Sequence, residues 1–292
     1  MNRPLRGYGA IITGASQGLG LEIARAYVHA GADVFICARD AAQLAVASDS
    51  LRQVASPEQR VGARASDVAD PAAVEILVRE AAAEFADLSI LVNNAGIYGP
   101  KGSLAEVEWT AWVDAIQINL LGSALAARAM LPHFRRAGRG KIIQLSGGGA
   151  TAPLVGLSAY SASKTAVVRL AETLALELRA DRVDVNSLAP GALNTRMLDE
   201  ILAAGPHLVG EEFYARALEQ QRSGGSSLER AAELAVWLAS PDSDGITGRL
   251  VSAQWDDWGS AEFARRCALD HDYATLRRID QMKFGRVDLP AS

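Results

Sequence analysis

Tyr160 and Lys164 are the two residues whose types and spacing most directly suggest chemistry. They stand four positions apart in a stretch with helical periodicity, so both side chains lie on one face of a helix. A free phenol has a pKa near ~10 and is a poor base at neutral pH, but a neighbouring ammonium favours the phenolate. Such a pair can take a proton from an alcohol or return one to an alkoxide. Taken alone, this spacing is usually an aromatic side chain packed beside a surface lysine.

A glycine-rich segment is the second feature with chemical meaning. The run Thr13-Gly14-Ala15-Ser16-Gln17-Gly18-Leu19-Gly20 follows an apolar strand pattern and opens a helical one. Gly14 permits a tight turn, Gly18 lets the backbone approach a pyrophosphate, and Gly20 lets the helix pack closely on the sheet. The helix N-terminus offers free N–H groups to phosphates. The context favours a dinucleotide site, although a glycine run in isolation can be only a turn.

The elements that must position these groups alternate between strands and helices. The pattern predicts strands at Tyr8–Thr13, Asp33–Ala38, Arg60–Ala65, Leu88–Asn93, Lys141–Ser146, Arg182–Leu188 and Arg249–Ala253. It predicts helices at Leu19–Ala30, Ala41–Val54, Pro71–Phe85, Glu106–Phe134, Ser158–Ala180 and Leu228–Ala239. Several strand cores are continuously apolar, as expected of strands covered by helices on both faces. The predicted fold class is α/β, with a doubly wound parallel sheet.

The domain organisation follows from the absence of a linker. No Pro/Gly/Ser-rich stretch divides residues 1–258, which predicts one dinucleotide-binding catalytic domain. Residues 192–227 have only patchy helical periodicity and are predicted to form a substrate loop or lid. Residues 259–292 lie beyond the last strand and form a charged C-terminal extension, packed either on a neighbouring chain or on the domain's own surface.

Composition narrows the class of protein. The 292 residues are 49% hydrophobic and 22% charged, with a formal net charge of −5. An acidic balance gives no reason to expect nucleic-acid binding. Two distant cysteines cannot form a disulfide framework, and the four histidines form no metal-like cluster. No apolar run reaches the ~18 residues that span a bilayer. The predicted location is the cytoplasm, with no metal, membrane or nucleic-acid partner.

The glycine run resembles the cofactor loop of the short-chain dehydrogenase/reductase family. Further matches follow in order: Asn93-Asn94-Ala95-Gly96, Asn119, Tyr160-Ser161-Ala162-Ser163-Lys164, and Pro190-Gly191 followed by Thr195. The resemblance covers roughly residues 7–258. It implies a Rossmann-like fold and an NAD(P)-dependent oxidoreductase that interconverts a secondary alcohol and a ketone or aldehyde by hydride transfer. It also implies a small-molecule substrate and a homodimer or homotetramer.

The resemblance implies catalytic roles for four residues: Asn119, Ser146, Tyr160 and Lys164. Tyr160 is the implied general acid/base, assisted by Lys164 and by the charge of an oxidised nicotinamide. The family assigns the asparagine to a helix kink that holds a water in the proton relay. A solvent-facing or capping asparagine is the alternative.

The resemblance also implies a set of cofactor-binding residues. They are Gly14, Ser16, Gln17, Gly18, Leu19, Gly20, Arg39, Asp67, Val68, Asn94, Ala95, Gly96, Tyr160, Lys164, Pro190, Gly191 and Thr195. Asp67 is expected beside the adenine, or else as the N-cap of a helix opening at Pro71. Ala38 stands at the family's acidic position and Arg39 follows, which favours NADP(H) and leaves NAD possible. A solvated Arg39 is the alternative, and Gln17 stands where many NADP-dependent relatives carry a basic residue.

One position departs from the family pattern. The family serine, 13 residues before the tyrosine, is Gly147 here, and Ser146 is the nearest hydroxyl. Three explanations stay open: the glycine run bulges and brings Ser146 into place, Thr151 or a backbone N–H supplies the hydrogen bond, or the donor is absent. Losing one such donor typically costs about 10²–10³ in rate. The departure suggests one alternative function, a cofactor-binding protein with little turnover. A sugar epimerase or dehydratase that uses transient oxidation is a separate alternative, although such relatives usually have GxxGxxG and a larger C-terminal domain, both missing here.

Substrates in this fold class bind beyond the carboxyl ends of the strands. The candidate lining residues are Ile97, Tyr98, Pro100, Lys101, Thr151, Pro153, Leu154, Leu157, Leu193, Arg196, Met197, Leu198, His207, Phe213 and Tyr214. Alternatively, the apolar members only pack the lid onto the core. Trp255 and Trp258 are predicted either to cap the pocket or to anchor a subunit contact.

Overall fold

A computed structural model describes residues 3–278 of the chain. Seven parallel strands form one sheet in the order β3-β2-β1-β4-β5-β6-β7. They are β1 (Gly9–Thr13), β2 (Asp33–Ala38), β3 (Val61–Ala65), β4 (Leu88–Asn93), β5 (Gly140–Leu145), β6 (Val183–Ala189) and β7 (Leu250–Ser252). The strand order reverses direction at β1 and β4, which confirms the predicted doubly wound, Rossmann-like α/β fold.

Helices cover both faces of the sheet. They are α1 (Gly18–His29), α2 (Ala41–Val54), α3 (Pro71–Glu84), α4 (Trp109–Ile116), α5 (Gly122–Ala137), α6 (Ser158–Glu177), α7 (Arg196–Ala204), α8 (Pro206–Val209), α9 (Glu211–Ser223), α10 (Leu228–Ala239) and α11 (Ala261–Leu269). Within residues 3–278, no helix combines the length and the apolar character needed to cross a membrane.

The core consists of two apolar layers separated by the sheet. Ile12 and Ile36 face a layer that includes α1, α10 and α11. Ile11 and Phe35 face the opposite layer, formed with α3, α5 and α6. Because neighbouring strand residues point to opposite faces, strands covered on both sides must be apolar throughout. This accounts for the continuous apolar runs in the sequence.

The predicted helix Glu106–Phe134 is interrupted in the structure. It begins at Trp109, and a π-helical turn at Gln117–Leu121 separates α4 from α5. Such turns insert one residue into an α-helix and occur frequently at functional sites. The turn contains Asn119, whose side chain bonds to the backbone of a distant loop instead of continuing a regular helix face.

Residues 192–227 are more helical than their sequence indicates. Three helices, α7, α8 and α9, occupy this segment. Gly205 and Gly210 separate them at φ values of 76° and 81°, a backbone conformation that favours glycine. Because these two breaks interrupt the helix, the apolar periodicity of residues 192–227 is discontinuous in the sequence.

The C-terminal extension packs on the protein's own surface as far as residue 278. Phe263 and Cys267 of α11 are buried in the core layer shared with α10. The Arg249 guanidinium donates hydrogen bonds to four backbone carbonyls at the end of α11 and just beyond it. Leu250 N of the edge strand β7 donates to Ala274 O at 2.7 Å. Residues 279–292 lie outside the described part, and a domain boundary at 258 stays a prediction.

Candidate active site

One large cavity lies at the carboxyl ends of the strands, with a volume of about 940 Å³. All of the residues predicted to bind the cofactor line it, and so does Ser146. Asn119 is the one predicted site residue that lies behind the wall rather than in it. The fold therefore brings segments from six strand ends into one continuous cleft, and their individual roles stay predictions.

The glycine turn forms a tightly packed end of the cavity. Gly14 has φ 64°, and a Cβ atom there would lie 2.7 Å from Ala95 Cα. A Cβ atom on Gly20 would lie 2.5 Å from Gly14 O. The Asn94 amide braces the turn, because Nδ2 donates to Thr13 O and Gly14 O at 2.9 Å each. Only glycine fits these two positions, so the backbone itself lines this part of the cavity.

Residues after β2 and β3 also line the cavity. Arg39 is exposed on the rim. The neighbouring Asp40 carboxylate caps α2, accepting from Ala42 N and Gln43 N at 3.0 Å each. The alternative prediction that Asp67 caps α3 is wrong. Asp70 is that cap, and Asp67 Oδ1 instead accepts from Ala69 N in the preceding turn.

Tyr160 and Lys164 project from the first turns of α6 into the middle of the cavity. Lys164 Nζ donates to Leu145 O at 2.8 Å and lies 5.8 Å from the Tyr160 ring centroid. Burial lowers the pKa of Lys164 to about 8. Burial, and secondarily the phenol of Tyr98, raise the pKa of Tyr160 above its ordinary value. With no positive charge nearby other than that of Lys164, the Tyr160 phenol is therefore protonated and can act as an acid.

Asn119 is buried in the π-helical turn, so the solvent-facing alternative is wrong. Its Oδ1 accepts from Ile97 N at 2.8 Å, and its Nδ2 donates to Ile97 O and Ser163 Oγ at 2.9 Å each. A Cβ atom on Gly96 would lie 3.2 Å from Asn119 Oδ1 and 3.4 Å from Lys164 Nζ. Asn119 thus fixes the loop after β4 against α6, directly behind Lys164.

The segment after β5 has no side chain at the family's serine position. A Cβ atom on Gly147 would overlap the hydroxyl oxygen of Tyr160. The predicted bulge that would move Ser146 into that place is absent, because Ser146 N continues the β5–β6 ladder to Leu188 O at 2.9 Å. Ser146 Oγ is buried and has no hydrogen-bond partner among the described residues.

The substrate end of the cavity is walled by the loops after β4 and β5 and by α7 and α9. Of the candidate lining residues, those that reach the cavity are Ile97, Tyr98, Thr151, Leu154, Leu193, Arg196, Met197, Leu198 and Phe213. The others do not line it. Lys101, for example, pairs with Glu200 at 3.0 Å.

Sequence reasoning missed three lining residues on the lid helices. Ile201, Ala217 and Gln220 reach the cavity from α7 and α9. The three-residue spacing from Leu198 to Ile201 on one helix face was the available signal. Trp255 stands at the cavity rim with 89% of its surface exposed, whereas Trp258 packs against Trp237 with ring centroids 5.6 Å apart.

A strand–glycine turn–helix that opens into the same cleft as a buried tyrosine and lysine defines a dinucleotide-binding oxidoreductase. The sequence profile of the short chain dehydrogenase family matches residues 9–205. The chain belongs to this family, as its motifs predict, and is an oxidoreductase that acts on CH–OH groups. Members of the family bind nicotinamide cofactors.

Relatives include both dehydrogenases and ketoreductases. A cis-4-hydroxycyclohexanecarboxylate dehydrogenase from Sinomonas cyclohexanicum is 34% identical over 83% of this chain and 93% of its own length. A structure of an actinorhodin polyketide ketoreductase with NADPH has a TM-score of 0.76 and 28% identity, covering 86% of this chain and 97% of that one. A gluconate 5-dehydrogenase from Burkholderia cenocepacia, in complex with NADP and tartrate, has a TM-score of 0.75 and 28% identity, covering 86% and 95%.

Proposed function

We propose that this chain interconverts a secondary alcohol and a ketone or aldehyde by hydride transfer with NADP(H), using Tyr160 as the general acid/base. The observation that carries the proposal is the shared cavity: the Tyr160–Lys164 pair and the glycine turn face the same cleft. The proton-transfer group and the predicted cofactor site thus lie in one enclosed volume.

The glycine turn suits a pyrophosphate. Gly14 and Gly20 leave no room for side chains, and Gly18 adopts φ 57°, so backbone atoms line the approach. The first N–H groups of α1 have no side-chain cap, since Gln17 makes no capping hydrogen bond. Free N–H groups and the helix dipole together favour an anion there. Asn94, Gly96, Pro190, Gly191 and Thr195 supply the rest of the wall.

Tyr160 moves the proton in either direction. In reduction its hydroxyl protonates the oxygen of the carbonyl, and in oxidation its phenolate accepts the proton of the alcohol. Lys164 opposes the effect of burial, because its ammonium stabilises the phenolate. When bound, the nicotinamide supplies or accepts the hydride.

Asn119 and Ser146 complete the predicted catalytic set. Asn119 is a positioning residue, since its side chain holds the backbone of Ile97 beside Lys164. Ser146 is the sequence-based candidate for a second hydrogen bond to the substrate oxygen. Its residue lines the cavity and its hydroxyl has no hydrogen-bond partner among the described residues, which supports that role. The hydroxyl oxygen itself is buried, which does not support it.

The choice of NADP(H) over NAD(H) depends on the end of β2. Ala38 offers no carboxylate for the ribose hydroxyls, and Oδ1 of the nearby Asp40 carboxylate accepts both hydrogen bonds of the α2 cap. The exposed Arg39 guanidinium at the rim can pair with a 2′-phosphate. NAD remains a possible second cofactor.

The substrate end favours a compound with an apolar body. Its lining side chains include Leu154, Met197, Leu198 and Phe213. The similarity to the cyclohexanecarboxylate dehydrogenase and the polyketide ketoreductase supports a cyclic or otherwise bulky carbonyl or alcohol.

The location and assembly are further parts of the proposal. The acidic charge and two buried free cysteines support a reducing, cytoplasmic environment. Exposed apolar side chains at Trp109, Leu121 and Leu176, on or between α4 and α6, support a homodimer or homotetramer. A small molecule is the expected substrate.

The test is a turnover assay with identified products. NADPH or NADH is mixed with the protein and a panel of cyclic ketones and aldehydes, and loss of the reduced nicotinamide is followed by absorbance. The expected result is stoichiometric alcohol formation, faster with NADPH. Bound cofactor without turnover would favour the non-catalytic alternative, and a rearranged sugar without net oxidation of the cofactor would favour the epimerase.

A further inference from the structure

The Tyr160 hydroxyl packs against Gly147, where the cavity wall has no side chain. The backbone at Gly147 is extended, with φ −172°, so any residue could adopt it. The restriction is steric, because a Cβ atom there would overlap the Tyr160 hydroxyl oxygen. With Tyr160 in this position, no side chain at 147 can reach a substrate oxygen.

The two nearby hydroxyls, those of Ser146 and Thr151, are poorly suited to replace the missing hydrogen-bond donor. Ser146 Oγ is buried, without exposed surface and without a partner among the described residues. Thr151 lies beyond a short 3-10 turn at Gly148–Ala150 and is exposed to solvent. A hydrogen bond to developing charge is most effective when the donor is preorganised and shielded from water. Neither hydroxyl meets both conditions.

Tyr98 packs directly against Tyr160 in the wall of the cavity. The two rings pack with centroids 4.6 Å apart and an interplanar angle of 58°. Tyr98 lines the cavity, and within residues 3–278 its hydroxyl has no hydrogen-bond partner and is not sealed from solvent. It is therefore a half-buried phenol that is available to a ligand next to the proton-transfer residue.

The surroundings of Tyr98 hold it in place and keep it protonated. The Lys101 ammonium lies 5.6 Å from its ring centroid and pairs with Glu200 at 3.0 Å. Burial, and secondarily the Glu200 carboxylate, raise the pKa of Tyr98 to about 12. At neutral pH this phenol keeps its proton, so it acts as a hydrogen-bond donor toward an anionic oxygen.

We infer that the Tyr98 hydroxyl donates the second hydrogen bond to the substrate oxygen, beside that of Tyr160, in the role that no side chain at Gly147 can fill. Tyr98 keeps its proton throughout, and only Tyr160 transfers one. The hydrogen bond strengthens as negative charge develops on that oxygen, so its contribution falls mainly on the rate. This inference rests on the proposed function and adds one catalytic residue to it.

The direct test is Tyr98→Phe, which removes the hydroxyl and keeps the ring that packs on Tyr160. We expect kcat to fall about 10²–10³-fold, as for loss of an oxyanion donor, with KM changed far less. The NADPH dissociation constant should stay within about two-fold, which also reports an intact fold. Tyr8→Phe is the matched control. Tyr8 lies under the Arg139 guanidinium before β1, outside the cavity, and its variant should keep wild-type kcat.

Ser146→Ala and Thr151→Val are measured in parallel as the competing donors. A larger loss of kcat in either of them than in Tyr98→Phe overturns the inference, and so does a Tyr98→Phe variant that keeps wild-type kcat. Tyr160→Phe separates this from the parent proposal. If Tyr160→Phe is inactive while Tyr98→Phe is fully active, only the role of Tyr98 fails. If Tyr160→Phe keeps full activity, the proposed function fails as well.

Discussion

The wall of the cavity consists of backbone atoms at the glycine-turn end and of side chains at the lid end. At the glycine turn the wall is backbone, with Gly14 and Gly20 packed so closely that no Cβ atom fits, and the Asn94 amide braces the loop. At the lid the wall is made of side chains on α7 and α9, which share an apolar cluster with Tyr160. One end depends on the absence of side chains and the other on their shapes.

This difference matches the ligands that we propose for the two ends. A pyrophosphate is the same in every dinucleotide, and backbone N–H groups bind it through a conformation that needs glycine. A substrate differs from enzyme to enzyme, and apolar side chains select it by fit. Tyr160 lies at the junction, and in the proposed reaction both ends must place their ligands correctly there for hydride and proton to move together.

Of Gly147→Ala, Lys164→Met, Gly20→Val and Arg39→Ala, the first should produce the largest effect, because it disturbs the junction itself. The added methyl group overlaps the Tyr160 hydroxyl and must displace it. General acid–base catalysis is worth about 10²–10⁴-fold, so we expect kcat to fall about 10²–10³-fold while NADPH affinity persists. At Gly148 an added Cβ meets no described atom within 4 Å, so Gly148→Ala should lose less activity. Equal kcat values for wild type and Gly147→Ala would show that Tyr160 is not held as described.

Lys164→Met tests the charge at the junction. The ammonium favours the phenolate, so its removal raises the pKa of Tyr160 and moves the pH profile of alcohol oxidation to higher pH. At neutral pH we expect kcat/KM for oxidation to fall about 100-fold, because the phenolate is scarcer. A pH series of kcat/KM checks this, and a profile that stays at the wild-type pH contradicts it.

Gly20→Val tests the backbone-built end. The larger side chain overlaps Gly14 O and the Asn94 amide, and overpacking of this kind costs about 1–3 kcal/mol. We expect the NADPH dissociation constant to rise about 10- to 100-fold, measured by fluorescence titration. Gly259→Val is the control, since that glycine has open space around it. Unchanged affinity in Gly20→Val would place the cofactor elsewhere.

Arg39→Ala should have the smallest of these effects. It tests whether Arg39 makes the protein prefer NADPH over NADH. The guanidinium is exposed, so its pairing with a 2′-phosphate is worth only about 1 kcal/mol, or about a five- to ten-fold weaker NADPH affinity. NADH affinity should not change. If both dinucleotides weaken equally, or neither does, Arg39 does not recognise the phosphate.

The sheet was predictable from sequence because its signals are local. The strands Asp33–Ala38 and Leu88–Asn93 have their predicted bounds, since buried parallel strands are apolar throughout. The helix Ala41–Val54 also has its predicted bounds, with Asp40 as its cap. The break at Asn119 was not predictable from periodicity, because it accompanies hydrogen bonds to Ile97, a residue in a different segment.

The lining of the cavity was predictable to the same extent, while the roles of its residues stay predictions. Short, fixed spacings within each motif make the Tyr160–Lys164 pair and the glycine turn recognisable in the sequence. The pairing of Tyr98 with Tyr160 depends on how the loop after β4 folds against α6, and no local pattern encodes it. The missing serine at Gly147 was visible in the sequence, but its steric reason was visible only in the structure.

The most direct test of the central claim is to measure NADPH binding and turnover of Tyr160→Phe in the same preparation. We expect the dissociation constant to stay within about two-fold of wild type, while kcat falls about 10²–10⁴-fold. A variant that turns over at the wild-type rate, or a wild-type protein that binds neither dinucleotide, would contradict the account.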